Sequence, residues 1–257
     1  MSAIIRELAN GTLPFEDNAH ADPDLDEERL HHKAGWRPIF GQTGGDQSHL
    51  ENEGVGVGDI FLFFGWFRHT VNTLDGRLRY AQPRDDFHAI FGWLQIGELH
   101  KVNGRSSKAL PPWSQGHPHV ATPDSFDANN TIYIASEHLN LCGLYLPIPG
   151  GGTFPRFTPA LRLTVPEGPR TCWALPKWFH PGANKPPLSY HGDPTRWSIS
   201  GGQVILRTVA RGQEFVLDTD YYPEALSWVG SLFKAEITGA EQEAVSGLHH
   251  AVRAANR

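Results

Sequence analysis

The sequence predicts an α+β fold made mainly of antiparallel β-strands, arranged as an open sheet or a partly closed β-barrel with a few peripheral helices. Two apolar runs rich in aromatic residues, at residues 60–67 and 89–99, are bounded by polar residues. The 27 glycines and 20 prolines indicate many turns, as β-rich folds require. A hydrophobic content of 39% is typical of a soluble globular protein and low for a helical bundle.

The two aromatic runs predict the central pair of strands. Residues 60–67 read IFLFFGWF, with no charge until Arg68, which fits a strand buried on both faces. This run is far too short to span a membrane. Residues 89–99 have the same character, and we expect the two runs to pair antiparallel. Asp75-Gly76, in the polar connection between them, indicates a hairpin turn.

Shorter patterns predict the remaining elements. Residues 46–52 predict one or two helical turns, and apolar residues at helical spacing predict a helix within 221–233. Residues 171–179 predict a helical turn or a loop. Further strands are predicted at residues 129–135, 139–148 and 157–165, and at 204–206 and 215–217, which would form a hairpin.

Length and composition indicate one large domain. A chain of 257 residues can bury a substantial core, and we find no internal repeat and no linker that divides it. We therefore assign residues 36–235 to a single α+β domain, residues 1–35 to a peripheral segment and residues 236–257 to a C-terminal tail.

Charge and the N-terminal sequence limit the partners and the location. The formal net charge of −6 argues against non-specific duplex binding as the main task, because phosphate contacts need a basic face. A local basic groove remains compatible, and the insertion at residues 68–84 carries four arginines. The N-terminus has no secretory signal, so we expect a cytoplasmic protein with no membrane partner. Reduced thiols are then favoured over a disulfide for Cys142 and Cys172.

The glycine-rich stretch before the first aromatic strand is the predicted location of the chemistry. Glycines at 54, 56 and 58 resemble part of a dinucleotide fingerprint, but here they precede a strand instead of following one. We reject that interpretation and expect tight turns or a close approach to a ligand. Because the chain also lacks a phosphate loop and a paired-cysteine zinc pattern, its cofactor stays unknown.

Residues 41–68 (GQTGGDQSHLENEGVGVGDIFLFFGWFR) and 88–99 (HAIFGWLQIGEL) resemble the nucleotide-modification-associated domain of the third type. Trp36, His117-Pro118-His119 and residues 130–133 add to this resemblance, which covers roughly residues 20–235. It implies a role in modifying bases of DNA or nucleotides, with nucleic acid or a nucleotide as the partner. The resemblance also predicts that relatives carry an extra strand and loop before the position of Met1.

A second resemblance is architectural. Residues 58–64 and 90–98 are similar to strands of the PUA-like superfamily, including the EVE and ASCH domains. Those domains are small β-barrels that hold a modified or flipped base in an aromatic-walled pocket. The two resemblances leave two functions open: an enzyme of unknown reaction type that hypermodifies a base held in such a pocket, and a non-catalytic reader of modified bases, for example in phage defence.

A base-handling site needs a stacking surface, hydrogen bonds to the base edge and a phosphate anchor. His49 is the candidate acid or base, since an unperturbed histidine titrates near pH 6.5. The candidate catalytic residues are His49, Gln47 and Ser48. The candidate substrate-binding residues are Gln42, Asn52, Trp66, Arg68, Trp93, His117 and His119.

Each candidate also has a structural interpretation. Trp66 and Trp93 could equally fill the core of a barrel, and His49 could be a helix-cap or surface residue. His117 and His119 could bind a metal, but no partner at a recognised spacing accompanies them, so we predict no metal site. For His20, Asp22 and Asp24, a solvated acidic loop is favoured over a cation site.

Overall fold

A computed structural model describes residues 4, 7–8, 22–28, 32–103, 110–141, 143–209 and 214–233. Its strands are mainly antiparallel and form a curled half-barrel sheet with few helices, which confirms the predicted α+β class. The predicted tail at residues 236–257 and His20 lie outside the described residues.

The central sheet has the strand order β1–β6–β5–β2, with a fifth strand, β9, also paired to β5. All of these pairs are antiparallel. The strands are β1 (Ile39–Gln42), β2 (Ile60–Arg68), β5 (Asp86–Lys101), β6 (Thr131–Ala135) and β9 (Gly151–Thr153). The predicted antiparallel pairing of the two aromatic runs is confirmed, with Leu62 opposite Trp93.

The 16-residue strand β5 curls the sheet. Its first part pairs with β2, and its last part pairs with β6 after a register irregularity between Ile96 and Glu98. Gly97 lies at this bend, where an added Cβ would be 2.7 Å from the Cα of Ser136. A glycine is therefore needed for the close approach of the two backbones.

Smaller elements flank this sheet. A three-stranded sheet has the order β10–β12–β11, and two hairpins, β3–β4 and β7–β8, complete the strands within the described residues. These strands are β3 (Thr70–Asn72), β4 (Leu78–Tyr80), β7 (His138–Leu141), β8 (Leu144–Pro149), β10 (Cys172–Leu175), β11 (Trp197–Ser200) and β12 (Gln203–Arg207). The α-helices whose bounds lie within the described residues are α1 (Gly44–Asn52), α2 (Pro118–Ala121) and α3 (Glu224–Leu232).

The main core lies between β5, the β10–β12–β11 sheet and α3. Trp93, Trp173, Leu206 and Phe233 are all buried in one apolar cluster there. A second cluster on the other side of the central sheet contains Leu94 and packs against α1. These two cores hold β2 and α1 in fixed positions at the edge of the sheet.

Several predicted elements differ in the structure. Residues 139–148 form the hairpin β7–β8 instead of one strand, because Gly143 reverses the chain at a φ of +80°. Residues 157–165 contain a short 3-10 turn at Pro159–Leu161 and only isolated bridges. Residues 171–179, predicted as a helical turn or loop, begin with the strand β10 and contain a helical turn only at their end, the 3-10 turn Lys177–Phe179.

The predicted hairpin between residues 204–206 and 215–217 is wrong. Strand β12 pairs with β10 along one edge and with β11 along the other, so neither edge is open to residues 215–217. Strand β2 is also half-buried, not buried on both faces, because it lies at the edge of its sheet.

The predicted turns and helices near the glycine-rich stretch are confirmed. Gly54 and Gly58 have φ values of +77° and +102°, which favour glycine. Helix α1 covers the predicted turns at residues 46–52, and Asp75-Gly76 lies at the β3–β4 turn. In the described part of the chain, no helix has the length and apolar character needed to cross a bilayer.

Candidate functional site

A cleft of about 670 Å³ lies along the outer edge of β2, between α1, residues 214–220 and α3. We call it the aromatic cleft. Phe61 and Phe63 lie against Phe40 on one side of the strand, with ring centroids 5.3 and 5.2 Å from that of Phe40. Phe64 contacts Trp173 on the other side, at 5.0 Å between centroids. The cleft has the size and apolar walls of a small-molecule site.

Carboxylates border the aromatic cleft. Among the described residues that line it are six acidic side chains and no lysine, arginine or histidine. The acidic residues are Asp22, Glu53, Asp59, Glu214, Asp218 and Asp220. Gln42 also lines the cleft, and its Nε2 donates to Glu214 Oε1 at 2.7 Å. The mouth of the cleft therefore offers mainly hydrogen-bond acceptors.

Helix α1, which carries the predicted catalytic residues, borders the cleft through Leu50. Its first residue, Gly44, has a φ of +63°. The side chain of Asn129 accepts from Gly44 N–H and donates to Gly44 C=O, both at 2.8 Å. The Thr43 side chain, at the N-cap position, makes no capping bond. The two-point contact with Asn129 therefore fixes the start of α1 in its place.

His49 does not line the cleft but forms a small cluster beside it, next to the lining residue Glu53. Its Nε2 lies 3.1 Å from Ser189 Oγ, and its ring packs on Tyr190 at 4.4 Å between centroids. Nδ1 of His49 is 3.9 Å from a Glu53 carboxylate oxygen. Tyr190 has a φ of 65°, a strained backbone conformation of the kind that often marks functional sites. Burial, together with nearby carboxylates, raises the pKa of the Tyr190 hydroxyl.

The other predicted residues of α1 make mainly structural contacts. Gln47 is 1% exposed, accepts from the Tyr133 hydroxyl at 2.9 Å and donates to Glu51 at 3.0 Å. Ser48 Oγ donates to Gly44 C=O and accepts from Asn129. Asn52 is exposed at the last position of the helix. Of the predicted catalytic residues, His49 is thus the one whose side chain lies next to a residue that lines the cleft, Glu53.

Trp66 lies two residues beyond Phe64 on the same strand. It is 57% exposed, and the Arg170 guanidinium stacks on its ring at 3.7 Å. Arg170 Nε is buried and has no hydrogen-bond partner among the described residues. Nearby, His88 accepts from the Trp173 indole at 3.0 Å. Burial and then the Arg170 charge lower the pKa of His88 to about 4, so His88 is neutral at pH 7.

Two further predicted residues lie away from the cleft. Arg68, at the end of β2, forms a two-point ion pair with Asp86 and stacks on Tyr80 at 4.5 Å. Trp93 is 6% exposed, and its indole N–H donates to Pro149 C=O at 3.0 Å. The structure gives Trp93 a core position, the structural alternative weighed for it from the sequence.

His117 and His119 lie buried behind β1, where both contact Asp22. The distances from Asp22 are 3.5 Å to His117 Nε2 and 3.2 Å to His119 Nε2. His119 Nδ1–H donates to the Asn130 side-chain oxygen at 2.6 Å, and the Asn130 amide nitrogen donates to His119 C=O at 2.9 Å. An added Cβ on Gly41 would be 2.4 Å from the His119 ring, so a glycine is required there. These histidines lie apart from His49 and Trp66.

The pKa of Asp22 is lowered and that of His119 is raised, as expected for an ion pair between them. Burial raises the pKa of Asp22, but contacts from His117, His119 and Gly41 N–H outweigh it and lower the net value. Burial lowers the pKa of His119, but Asp22 and Asn130 outweigh it and raise the net value. Across the described ranges, no group of three or more His, Cys, Asp or Glu side chains is arranged to hold a metal ion.

Sequence reasoning missed several residues in and beside the cleft. Ser189 and Tyr190 lie 140 and 141 residues beyond His49, in a proline-rich loop with no local signal of function. Glu214 and Phe215 lie within the wrongly predicted hairpin, in its turn and in its second strand. Arg170 precedes β10 and gives no sign in the sequence of its contact with Trp66. Only the tertiary fold brings these residues to β2.

Fold and site together define an α+β domain whose curled antiparallel sheet borders an aromatic cleft of ligand size. The chain matches the family described as nucleotide modification associated domain 3 over residues 1–218, so it belongs to that family. This confirms the resemblance seen in the sequence and implies a role in nucleotide modification, with nucleic acid or nucleotides as interaction partners. No curated protein and no solved structure matches the chain.

Proposed function

We propose that this protein modifies a base of cytoplasmic DNA or of a nucleotide, and that the aromatic cleft holds the base. One observation carries the proposal. Phe64 forms a wall of the cleft, and Trp66, two residues further along the same strand, is exposed and stacked by Arg170 at 3.7 Å. Side chains at i and i+2 of a strand share a face, so the cleft and this platform are neighbours.

The platform and the cleft supply different parts of nucleic-acid recognition. A base stacks on the exposed ring of Trp66, and the Arg170 guanidinium provides the cation for an adjacent phosphate. The aromatic walls then receive an extruded base, as in other enzymes that act on bases outside the helical stack. The acidic rim disfavours phosphate in the cleft itself, so the backbone stays on the arginine side.

The rim and the residues beside it supply hydrogen bonds and an acid or base. Gln42 and Glu214, paired at 2.7 Å, place an amide beside a carboxylate, and this pair can match the donor and acceptor atoms of a base edge. His49 lies between Ser189 and Glu53 beside the cleft. We assign it the proton transfer, because histidine is the side chain that most often acts as a general acid or base and both ring nitrogens of His49 face polar partners.

Mass spectrometry of nucleosides from DNA of cells that express the protein tests this function. The wild-type protein should add a nucleoside absent from control cells. His49→Ala should reduce that product about 100-fold, the usual contribution of a general acid or base. His138→Ala, which changes an exposed histidine on β7, is the matched control and should leave the product unchanged. A product unaffected by His49→Ala would contradict the assigned role.

The alternative is a PUA-like reader that binds modified bases without turnover. The structural contacts of Gln47 and Ser48 favour it, because they leave His49 as the one predicted catalytic group beside the cleft. An unchanged nucleoside profile, combined with tight binding to a modified oligonucleotide, would establish the reader and exclude the enzyme. In that case Trp66→Ala should weaken binding.

A further inference from the structure

A second pocket, of about 350 Å³, lies at the far end of β2. Phe67, Phe87 and Phe157 form its aromatic wall, and Phe157 is 49% exposed. Its rim carries Arg68, His69 and Arg156, among other residues. Among its described lining residues there is no carboxylate, whereas six acidic residues line the aromatic cleft. We call it the arginine pocket.

The two arginines of this pocket, Arg68 and Arg156, differ in whether a carboxylate already pairs with their charge. The Arg68 guanidinium is held by Asp86 in a two-point ion pair. Arg156 is exposed and forms no hydrogen bond or ion pair with any described residue. Its charge is therefore free to meet an anion at the edge of an aromatic wall. Aromatic rings beside an unneutralised arginine are the combination that binds a nucleotide, with the base stacked and the phosphate paired.

The two cavities are adjacent. Ile90 and Phe91 of β5 line both the aromatic cleft and the arginine pocket. Two neighbouring nucleotides of one strand could thus place one base in each cavity. A base-paired duplex cannot do this, because its bases remain stacked and their faces are covered.

We propose that the arginine pocket binds one nucleotide of an unpaired strand whose neighbouring base enters the aromatic cleft, so that the substrate is single-stranded nucleic acid. That the neighbouring base enters the aromatic cleft, and that the substrate is single-stranded, rests on the function proposed above. The nucleotide site built from Arg156 and Phe157 is supported by the lining and charge of the arginine pocket alone.

Calorimetry with three probes tests the nucleotide site: 2′-deoxyadenosine 5′-monophosphate, 2′-deoxyadenosine and inorganic phosphate. The monophosphate should bind at least about tenfold more tightly than either part, since it alone uses both the wall and the cation. Arg156→Ala and Phe157→Ala should each weaken it about tenfold. Arg207→Ala and Tyr145→Ala, which change an exposed arginine and an exposed tyrosine outside both cavities, should not.

Fluorescence anisotropy with one sequence as a single strand and as a duplex tests the strand state. The single strand should bind about tenfold more tightly, and Arg156→Ala or Phe157→Ala should remove that difference. Equal binding of both forms, or binding of the monophosphate that neither variant changes, would overturn the proposal. If both variants act as expected while the nucleoside profile of expressing cells stays unchanged, the nucleotide site is supported and only the proposed modification fails.

Discussion

Asp22 holds His117 and His119 in a buried ion-pair cluster behind β1, and this cluster makes stability depend on pH. The pKa of Asp22 is lowered from 3.8, so its stabilisation is present above that value and is lost as pH falls through the folded-state pKa. The pKa of His119 is raised from 6.5, so its stabilisation is present below that value and is lost as pH rises through the folded-state pKa. The cluster therefore stabilises most between about pH 4 and 6.5.

Asp22→Asn should lower the free energy of unfolding by about 3 kcal/mol at pH 6, because it leaves two buried imidazoles without their carboxylate. The difference should shrink above neutral pH, where His119 loses its proton. Urea unfolding at several pH values measures this. Asp124→Asn, at an exposed aspartate, is the control. An Asp22→Asn protein with the stability and pH profile of the wild type would contradict the ion pair.

Strand β1 and helix α1 each contain a glycine, and the two glycines have opposite surroundings. An added Cβ on Gly41 would be 2.4 Å from the His119 ring, whereas one on Gly45 would meet nothing within 4 Å. We expect Gly41→Ala to cost about 1–3 kcal/mol of stability through overpacking. Gly45→Ala, within α1, should instead stabilise by about 0.5 kcal/mol through helix propensity. Thermal unfolding of both variants measures the signs, and two effects of the same sign would refute this packing.

The contact between Asn129 and Gly44 positions α1 and, with it, His49. Asn129→Ala removes both hydrogen bonds to Gly44 and should destabilise the protein by about 1–2 kcal/mol. Amide hydrogen exchange should accelerate selectively in α1. Asn52→Ala, at the exposed end of the same helix, should change stability by less than about 0.5 kcal/mol. Uniform exchange across the protein after Asn129→Ala would show that this contact does not fix the helix.

Local patterns predicted the elements whose determinants are local. The two aromatic runs, the Asp75-Gly76 turn and α3 each depend on residues close in sequence, and the structure contains them. The predictions failed where the structure depends on strand pairing between residues that are distant in the sequence. Residues 215–217 have strand-like composition, but β10 and β11 occupy both edges of β12. Likewise, Pro159 interrupts an alternating pattern that looked like a strand.

The candidate site shows the same difference between features set by local sequence and features set by long-range contacts. The sequence made β2, Trp66, Arg68 and His49 candidates, because each stands out within or beside the glycine-rich stretch. It could not place Ser189 beside His49 or Arg170 over Trp66, since these contacts join residues about 100 or more positions apart. It also placed Trp93 among the binding residues, and the structure shows it 6% exposed in the core.

At the scale of the whole molecule, charge is unevenly distributed. Residues 66–87 and 154–170 contain seven arginines and four carboxylates in a chain of net charge −6, while the described lining of the aromatic cleft is acidic. Single-strand affinity should therefore fall with salt, and Arg156→Ala should reduce the slope of log K against log salt by about 0.7, one phosphate contact. Arg207→Ala should leave the slope unchanged. Equal slopes for the wild type and Arg156→Ala would exclude Arg156 as a phosphate contact.

Entry of a base into the aromatic cleft can be observed by ¹⁹F NMR of the protein labelled with 5-fluorotryptophan. Trp173 and Trp228 line the cleft, whereas Trp113 and Trp197 lie outside it, and single Trp→Phe variants assign their signals. A short single strand containing all four bases should shift the signals of Trp66, Trp173 and Trp228 and leave those of Trp113 and Trp197 unmoved. A shift of Trp66 alone, with Trp173 and Trp228 unchanged, would mean that nucleic acid binds the surface and no base enters the cleft.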